Sequence, residues 1–160
     1  MRYLIFTGLL LIGACQTKQQ NTELMPLSDE ERTIVKGLIQ DSFDDLWAGL
    51  DSTKILDYHT ADFIILEHGE VWDNDRIKQF MRDYGKNPNR PTRINEMDYI
   101  SIDKYGESIQ LAYHNYATFK EGDSIVYRGQ WLESALAVKQ ENGEWRLKMM
   151  HSTRVPVQEE

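Results

Sequence analysis

The sequence predicts an α+β domain, with helices first and a curved antiparallel sheet after them. Three observations carry this. Val35, Ile39, Phe43, Leu46 and Leu50 recur at helical spacing behind the capping box Ser28-Asp29-Glu30-Glu31. From Met97 onward the apolar period drops to two. The period-two segments are divided by turn residues at Gly106, Gly122 and Gly143. Helices followed by strands give segregated layers, with the helices packed on one face of the sheet.

The elements follow in order. Residues 28–50 form one long amphipathic helix, its stripe widened by Ile34, Leu38 and Trp47. Residues 52–58 read as a short second helix. "DFIILEHG" is a short apolar strand ended by Gly69. "DNDRIKQFMRDYG" is a third helix, capped by Asp73 or Asn74 and stopped by Gly85. "KNPNRP" is a loop by its Pro and Asn content. Strands are expected at 97–103, 108–120, 123–140 and 144–155, with "EGD" and "ENG" as hairpin signals.

The amino terminus reads differently. Arg2 precedes an apolar run from Tyr3 to Ile12, then Gly13, Ala14 and Cys15. A charged start, a short apolar run and small residues describe a secretory signal, and the run is too short for a stable span. "Leu-Ile-Gly-Ala-Cys" resembles the bacterial lipoprotein signal box. That resemblance implies a lipid such as palmitate on Cys15 and removal of residues 1–14. The alternative is an ordinary signal peptide with an incidental cysteine. Residues 15–27 are then an anchor site and polar tether, 28–157 the folded domain and 158–160 a tail. Gln16 follows Cys15 and no acidic run comes after it. By resemblance to lipoprotein sorting, the chain is expected in the bacterial envelope, on the periplasmic leaflet of the outer membrane.

Composition narrows the partners. Net charge is −8, one unit more negative once Arg2 is removed. An acidic surface argues against nucleic acid and against electrostatic docking on anionic lipid. The lone cysteine leaves no disulfide framework. His59 and His68 are too far apart to make a metal pair, and no Gly-rich phosphate loop is present, so neither metal nor cofactor is predicted.

The helix–strand order, with "YHTADF", "LEHGEVW", "WLESALAVKQENGEW" and "MHSTR", resembles the NTF2-like superfamily over residues 28–155. The nearest resemblance is to its SnoaL-like and DUF4440-like branch. It implies a cone with a pocket between sheet and helices, and no single chemistry. Homodimers are common in that fold, which makes a dimer through the open sheet face an expectation here.

The hairpins suggest which residues line such a pocket. With Asn142 and Gly143 as the turn, Val138 faces Leu147, Leu136 faces Met149 and Ser134 faces His151. This face turns polar at Ser134 and His151, as a pocket floor would. With Glu121 and Gly122 as the other turn, Leu111 faces Leu132, Tyr113 faces Gln130 and Asn115 faces Arg128. A single bulge would invert that set. Trp47, Tyr58 and Trp72 complete the candidate ligand contacts. The bland readings are a structural His151 bonded to Ser134, a core Tyr113, a surface Arg128 and core tryptophans.

Glu67 follows the apolar "FIIL", where burial would raise its pKa. It matches the place of the general base in the ketosteroid isomerase branch of the fold. By that resemblance, the position of the branch's oxyanion tyrosine falls on Phe43, and that of its protonated aspartate on Ala135. Both donors are missing, which argues against steroid isomerisation. Otherwise Glu67 is a structural acid paired with Arg76 or Arg93. Three functions remain open: a module binding a small, partly apolar ligand; an isomerase or hydrolase with Glu67 or His151 as acid–base; and a dimerising interaction protein with a vestigial pocket.

Overall fold

A computed structural model describes residues 23–156. The predicted signal, Cys15, most of the tether and the tail lie outside the described residues. Ser28 caps the first helix, α1 (Asp29–Ser42), by the capping box: its Oγ accepts from the Glu31 amide at 3.1 Å and Glu31 Oε2 accepts from the Ser28 amide at 3.2 Å. Val35 and Ile39 are fully buried, while Ile34 faces solvent at 44% exposure.

The long helix does not continue unchanged. Phe43–Ala48 widens into a π-helical turn, whose Phe43, Leu46 and Trp47 are buried. A 3₁₀ turn (Ser52–Lys54) and α2 (Ile55–Tyr58) follow, then β1 (His59–Glu67). Gly69 does not simply end this strand. His68 and Gly69 both take positive φ, 51° and 83°, as a two-residue hairpin turn requires. The turn leads into β2 (Glu70–Asp73), an unpredicted strand that pairs Glu70 with Glu67. α3 (Asn74–Tyr84) is capped by Asp73, whose side chain accepts from the Arg76 amide at 2.8 Å.

The four long strands are β3 (Thr92–Tyr105), β4 (Ser108–Glu121), β5 (Ser124–Lys139) and β6 (Trp145–Val155). They form one six-stranded sheet in the order β2-β1-β6-β5-β4-β3. The sheet is mixed: β1 runs parallel to β6, and every other pair is antiparallel. Curvature comes from bulges, where Ile100 on β3, Val126 on β5 and Lys148 on β6 are the extra residues. The helices pack on the concave face, and this is the NTF2-like cone.

The bulges correct two registers. Ser134 does pair with His151 and Leu136 with Met149, but Leu147 pairs with Ala137, not Val138. The Lys148 bulge sends Leu147 inward and Met149 and His151 outward. The polar gradient read as a pocket floor is a crossing from one face to the other. On the other hairpin Leu111 pairs with Ala135, Tyr113 with Glu133 and Asn115 with Trp131. The turn lies one residue later than expected and the Val126 bulge adds to the shift. The odd offset inverts the faces of β5. Its inner face carries Gly129, Glu133, Ala135 and Ala137, all buried.

One buried polar cluster ties β1 to α3. Asn74 Nδ2 donates to the carbonyls of Thr60 (2.9 Å) and Ala61 (3.3 Å), and its Oδ1 lies 2.9 Å from His59 Nδ1. Nδ1 therefore carries the proton. Nε2 is left buried without a partner, and the ring stacks on Phe63 at 3.7 Å. Burial pushes the His59 pKa down to about 4, against the opposing pull of Asn74, so the ring is neutral. Asn74→Ala strands the buried Thr60 carbonyl, the part-buried Ala61 carbonyl and the Nδ1 proton together. A stability loss of about 2–4 kcal/mol is expected from urea denaturation at neutral pH. A loss below about 1 kcal/mol would mean that the ladder does not depend on this amide.

Candidate functional site

Aromatic residues leave a space between the π-helical turn, α3 and the β1 side of the sheet. The cavity there measures about 210 Å³ and is partly open to solvent. It is smaller than a typical drug-sized site and suits a compact molecule. Phe43 and Trp47 come from the π-helical turn, Trp72 from β2, Phe80 from α3, Ile65 from β1 and Trp131 from β5. Ring centroids are 6.3 Å apart for Phe43–Trp47, 5.8 Å for Trp47–Phe80 and 5.5 Å for Trp72–Phe80. Gly129 gives the Trp131 ring its room, because a Cβ there would stand 2.6 Å from the indole.

The other wall is polar. Glu67, His68, Arg93, Glu133 and Ser152 reach the cavity. Three of them form one row on the inner face: Glu67 pairs with Ser152 across β1–β6, and Ser152 pairs with Glu133 across β6–β5. At about 4.8 Å per strand the two acids sit about 10 Å apart at their Cα atoms, with Ser152 between them.

Glu133 is 5% exposed and must find donors inside the protein. Ser152 Oγ donates to its Oε1 at 3.0 Å, and Asn115 Nδ2 to its Oε2 at 3.2 Å. The chain of bonds continues outward. Asn95 Nδ2 donates to Asn115 Oδ1 at 2.6 Å, and Arg93 Nε donates to Asn95 Oδ1 at 2.9 Å. Burial nevertheless pushes the Glu133 pKa up to about 7, against these donors and the Arg93 charge. Burial also raises Glu67, opposed by His68, whose Nε2 is 3.3 Å from the carboxylate, and by Ser152, Arg93 and His151.

Arg93 is held by rings instead of acids. Its guanidinium lies 5.6 Å from Phe43, 5.6 Å from Phe119 and 5.3 Å from Trp131. It joins no ion pair among the described residues. Burial lowers its pKa, while the Glu133 and Glu67 charges act in the other direction from beyond ion-pair distance.

The residues singled out from sequence divide. Glu67, Trp47 and Trp72 line the cavity. Tyr113 and Asn115 are fully buried behind it, on the row beside Glu133. The Tyr113 hydroxyl has no well-formed partner, and burial pushes its pKa up. Tyr58 lies off the cavity and donates its hydroxyl to Asp45. His151, Ser134, Arg128 and Gln130 sit on the outer face, where Gln130 lies 3.4 Å from His114. Glu133, Ser152 and Arg93 were missed as site residues. The signal for Glu133 was present: the acid is in phase with the small inward Ala135 and Ala137. Among the described residues no group of three metal-ligating side chains occurs.

No protein-family model and no curated protein matches this chain. Solved structures do. A protein of unknown function with a cystatin-like fold from Nostoc punctiforme superposes with a TM-score of 0.68 at 13% identity, over 82% of this chain and 96% of that one. A ketosteroid isomerase-like protein from Erwinia carotovora atroseptica gives 0.61 at 11% identity, over 81% and 100%. The S. rosetta CaMKII hub gives 0.62 at 14% identity, over 82% and 100%. These likenesses establish the NTF2-like fold.

The acid pair allows a direct test of the site's electrostatics. Glu133 titrates near 7 when folded and near 4.5 when unfolded. Its contribution to stability is therefore full below pH 4.5 and lost as pH rises through 7. Glu133→Gln has no such term. Relative to wild type, its stability should rise by about 2–3 kcal/mol between pH 5 and pH 8 in urea titrations. A difference that stays flat with pH would remove Glu133 as the neutral acid of the cavity.

Proposed function

We propose that this chain is a lipid-anchored protein of the bacterial envelope, and that its NTF2-like domain binds a small, partly apolar ligand in the cone. One observation carries the binding reading: a cavity walled by five aromatic rings that ends at Glu67, Arg93, Glu133 and Ser152. Apolar walls with a few convergent polar groups are the ordinary form of a small-molecule site. The resemblance of its motifs to the SnoaL-like and DUF4440-like branch supports that branch as our reading of the domain. The anchor rests on the Leu-Ile-Gly-Ala-Cys box, and the absence of a sorting acid after Cys15 favours the periplasmic leaflet of the outer membrane.

A second reading is catalytic. Glu67 and Glu133 share one row and one cavity in different environments, the arrangement that separates a proton acceptor from a donor. In that reading Glu67 abstracts a proton and neutral Glu133 donates a hydrogen bond to the oxygen that gains charge. His151, on the outer face, takes no part. That face also exposes Tyr116, Leu132 and Met149, at 41%, 46% and 37%, which favours it as the surface of a homodimer.

Mass spectrometry of molecules released on denaturation tests the first reading. Wild type and His151→Ala should retain the same small molecule, and Trp131→Ala should lose it. Loss in His151→Ala with retention in Trp131→Ala would move the ligand to the outer face. An empty cavity in all three would shift the weight to a protein partner. For the anchor, Cys15→Ser should release the chain from membranes and abolish palmitate labelling. Wild type that carries no label would return the ordinary-signal reading.

A further inference from the structure

We infer that the cavity takes a small organic anion, a carboxylate on an aromatic or apolar body, with its carboxylate seated on Arg93. This deepens the ligand-binding reading above and rests on it. The argument starts from Arg93. A guanidinium carries five N–H donors, and a largely buried one is normally met by a carboxylate. Among the described residues a single N–H is bonded, Nε to the neutral amide of Asn95 at 2.9 Å, and no acid stands within ion-pair distance. Arg93 is one of the side chains that line the cavity. The rings of Phe43, Phe119 and Trp131 surround the group, their centroids 5.3–5.6 Å from its central carbon, so the fork is positioned by packing. Planar, oriented and unpaired, it matches a bidentate carboxylate.

The acids nearby do not fill that place. Glu133 is directed to Ser152 and Asn115, and Glu67 stands beside His68. The relay Arg93–Asn95–Asn115–Glu133 links the cation to the buried acid through two neutral amides, which fixes both without joining them. A cationic ligand is disfavoured because arginines already stand over two rings of the wall, Arg93 over Trp131 and Arg76 over Trp72 at 4.3 Å.

Charge adds a signature. The titratable groups that line the cavity are Arg93 from β3, Glu133 from β5, Glu67 from β1 and His68 from the β1–β2 turn; Tyr84 from α3 also acts on Arg93, and Tyr113 from β4, with Tyr99 beside it, lies behind Glu133. Tyr99 and Tyr113 stay neutral, since burial raises both. Glu133 changes charge near 7. An incoming anion meets less repulsion when Glu133 is protonated, so affinity falls as pH rises through 7.

The test is calorimetric titration of the purified full-length chain with phenylacetate, phenylacetamide and benzylamine at pH 6 and pH 8. Phenylacetate should bind at least tenfold more tightly than its amide at pH 6, and several-fold more tightly at pH 6 than at pH 8. Arg93→Gln should abolish the preference for the acid, and Arg93→Lys should weaken it. Glu133→Gln should keep phenylacetate binding and lose the pH dependence. Equal affinity for acid and amide, or a preference for the amine, overturns the anion and leaves the pocket reading standing. Binding of none of the three overturns both. Should the Arg93 variants fail to fold by circular dichroism, the acid-to-amide ratio of wild type still decides.

Discussion

A carboxyl group buried at the middle of the sheet governs how this protein is built. Glu133 lies on β5 between β6 and β4, too deep for water to solvate it. Leaving such a group unmatched costs more than most single contacts contribute. The fold answers with Ser152 from β6 and Asn115 from β4, and Asn115 is set by Asn95 from β3. Four strands thus share one polar thread. A one-residue slip in any pairing would withdraw a donor from it, so the thread fixes register as the bulges fix curvature. It also ends at Arg93, which places a cation in the cavity wall without a direct salt bridge among the described residues.

The cavity follows from side-chain size. Helices that approach a concave sheet fill it unless the inner face is small. Here β5 presents Gly129, Ala135 and Ala137, and β6 presents Ser152. The large rings come from the opposite side, from the π-helical turn and α3. Phe43 and Trp47, four residues apart, share one face of this turn, and both rings line the cavity. The turn His68–Gly69 then extends the edge by folding β2 back alongside β1, which sets Trp72 opposite Ile65.

Much of this architecture is legible in the amino-acid sequence. The capping box at Ser28, the loop before β3 and the glycine turns mark the elements, because each is a local demand of backbone chemistry. The His68–Gly69 hairpin was hidden because histidine is an unusual tenant of positive φ. The faces of β5 and β6 were hidden for another reason. Lys148 and Val126 add one residue to one strand, and nothing in their identity announces it. The inward choice also went to the larger residues, Leu136 and Val138, when contact with helices favours Ala135 and Ala137. Glu67, Trp47 and Trp72 were found because their placement depends on the ends of elements. Glu133 and Ser152 were missed because theirs depends on register.

The two functional readings differ in what Glu133 is for. In a proton-transfer site the neutral acid is a donor aimed at developing charge, and its high pKa is the working property. In an anion site the same neutrality serves to avoid repelling the ligand, and Arg93 does the holding. The structure weights these unequally. Both oxygens of Glu133 already accept hydrogen bonds from inside the protein, one from Ser152 and one from Asn115. A proton on Glu133 must therefore displace a donor or turn toward the cavity. Arg93, by contrast, has donors without acceptors. A group whose partners are satisfied shapes a site, and a group whose partners are missing defines what enters it. On that ground the anion reading we propose gives Arg93 the choice of ligand and Glu133 the pH range over which the choice is made.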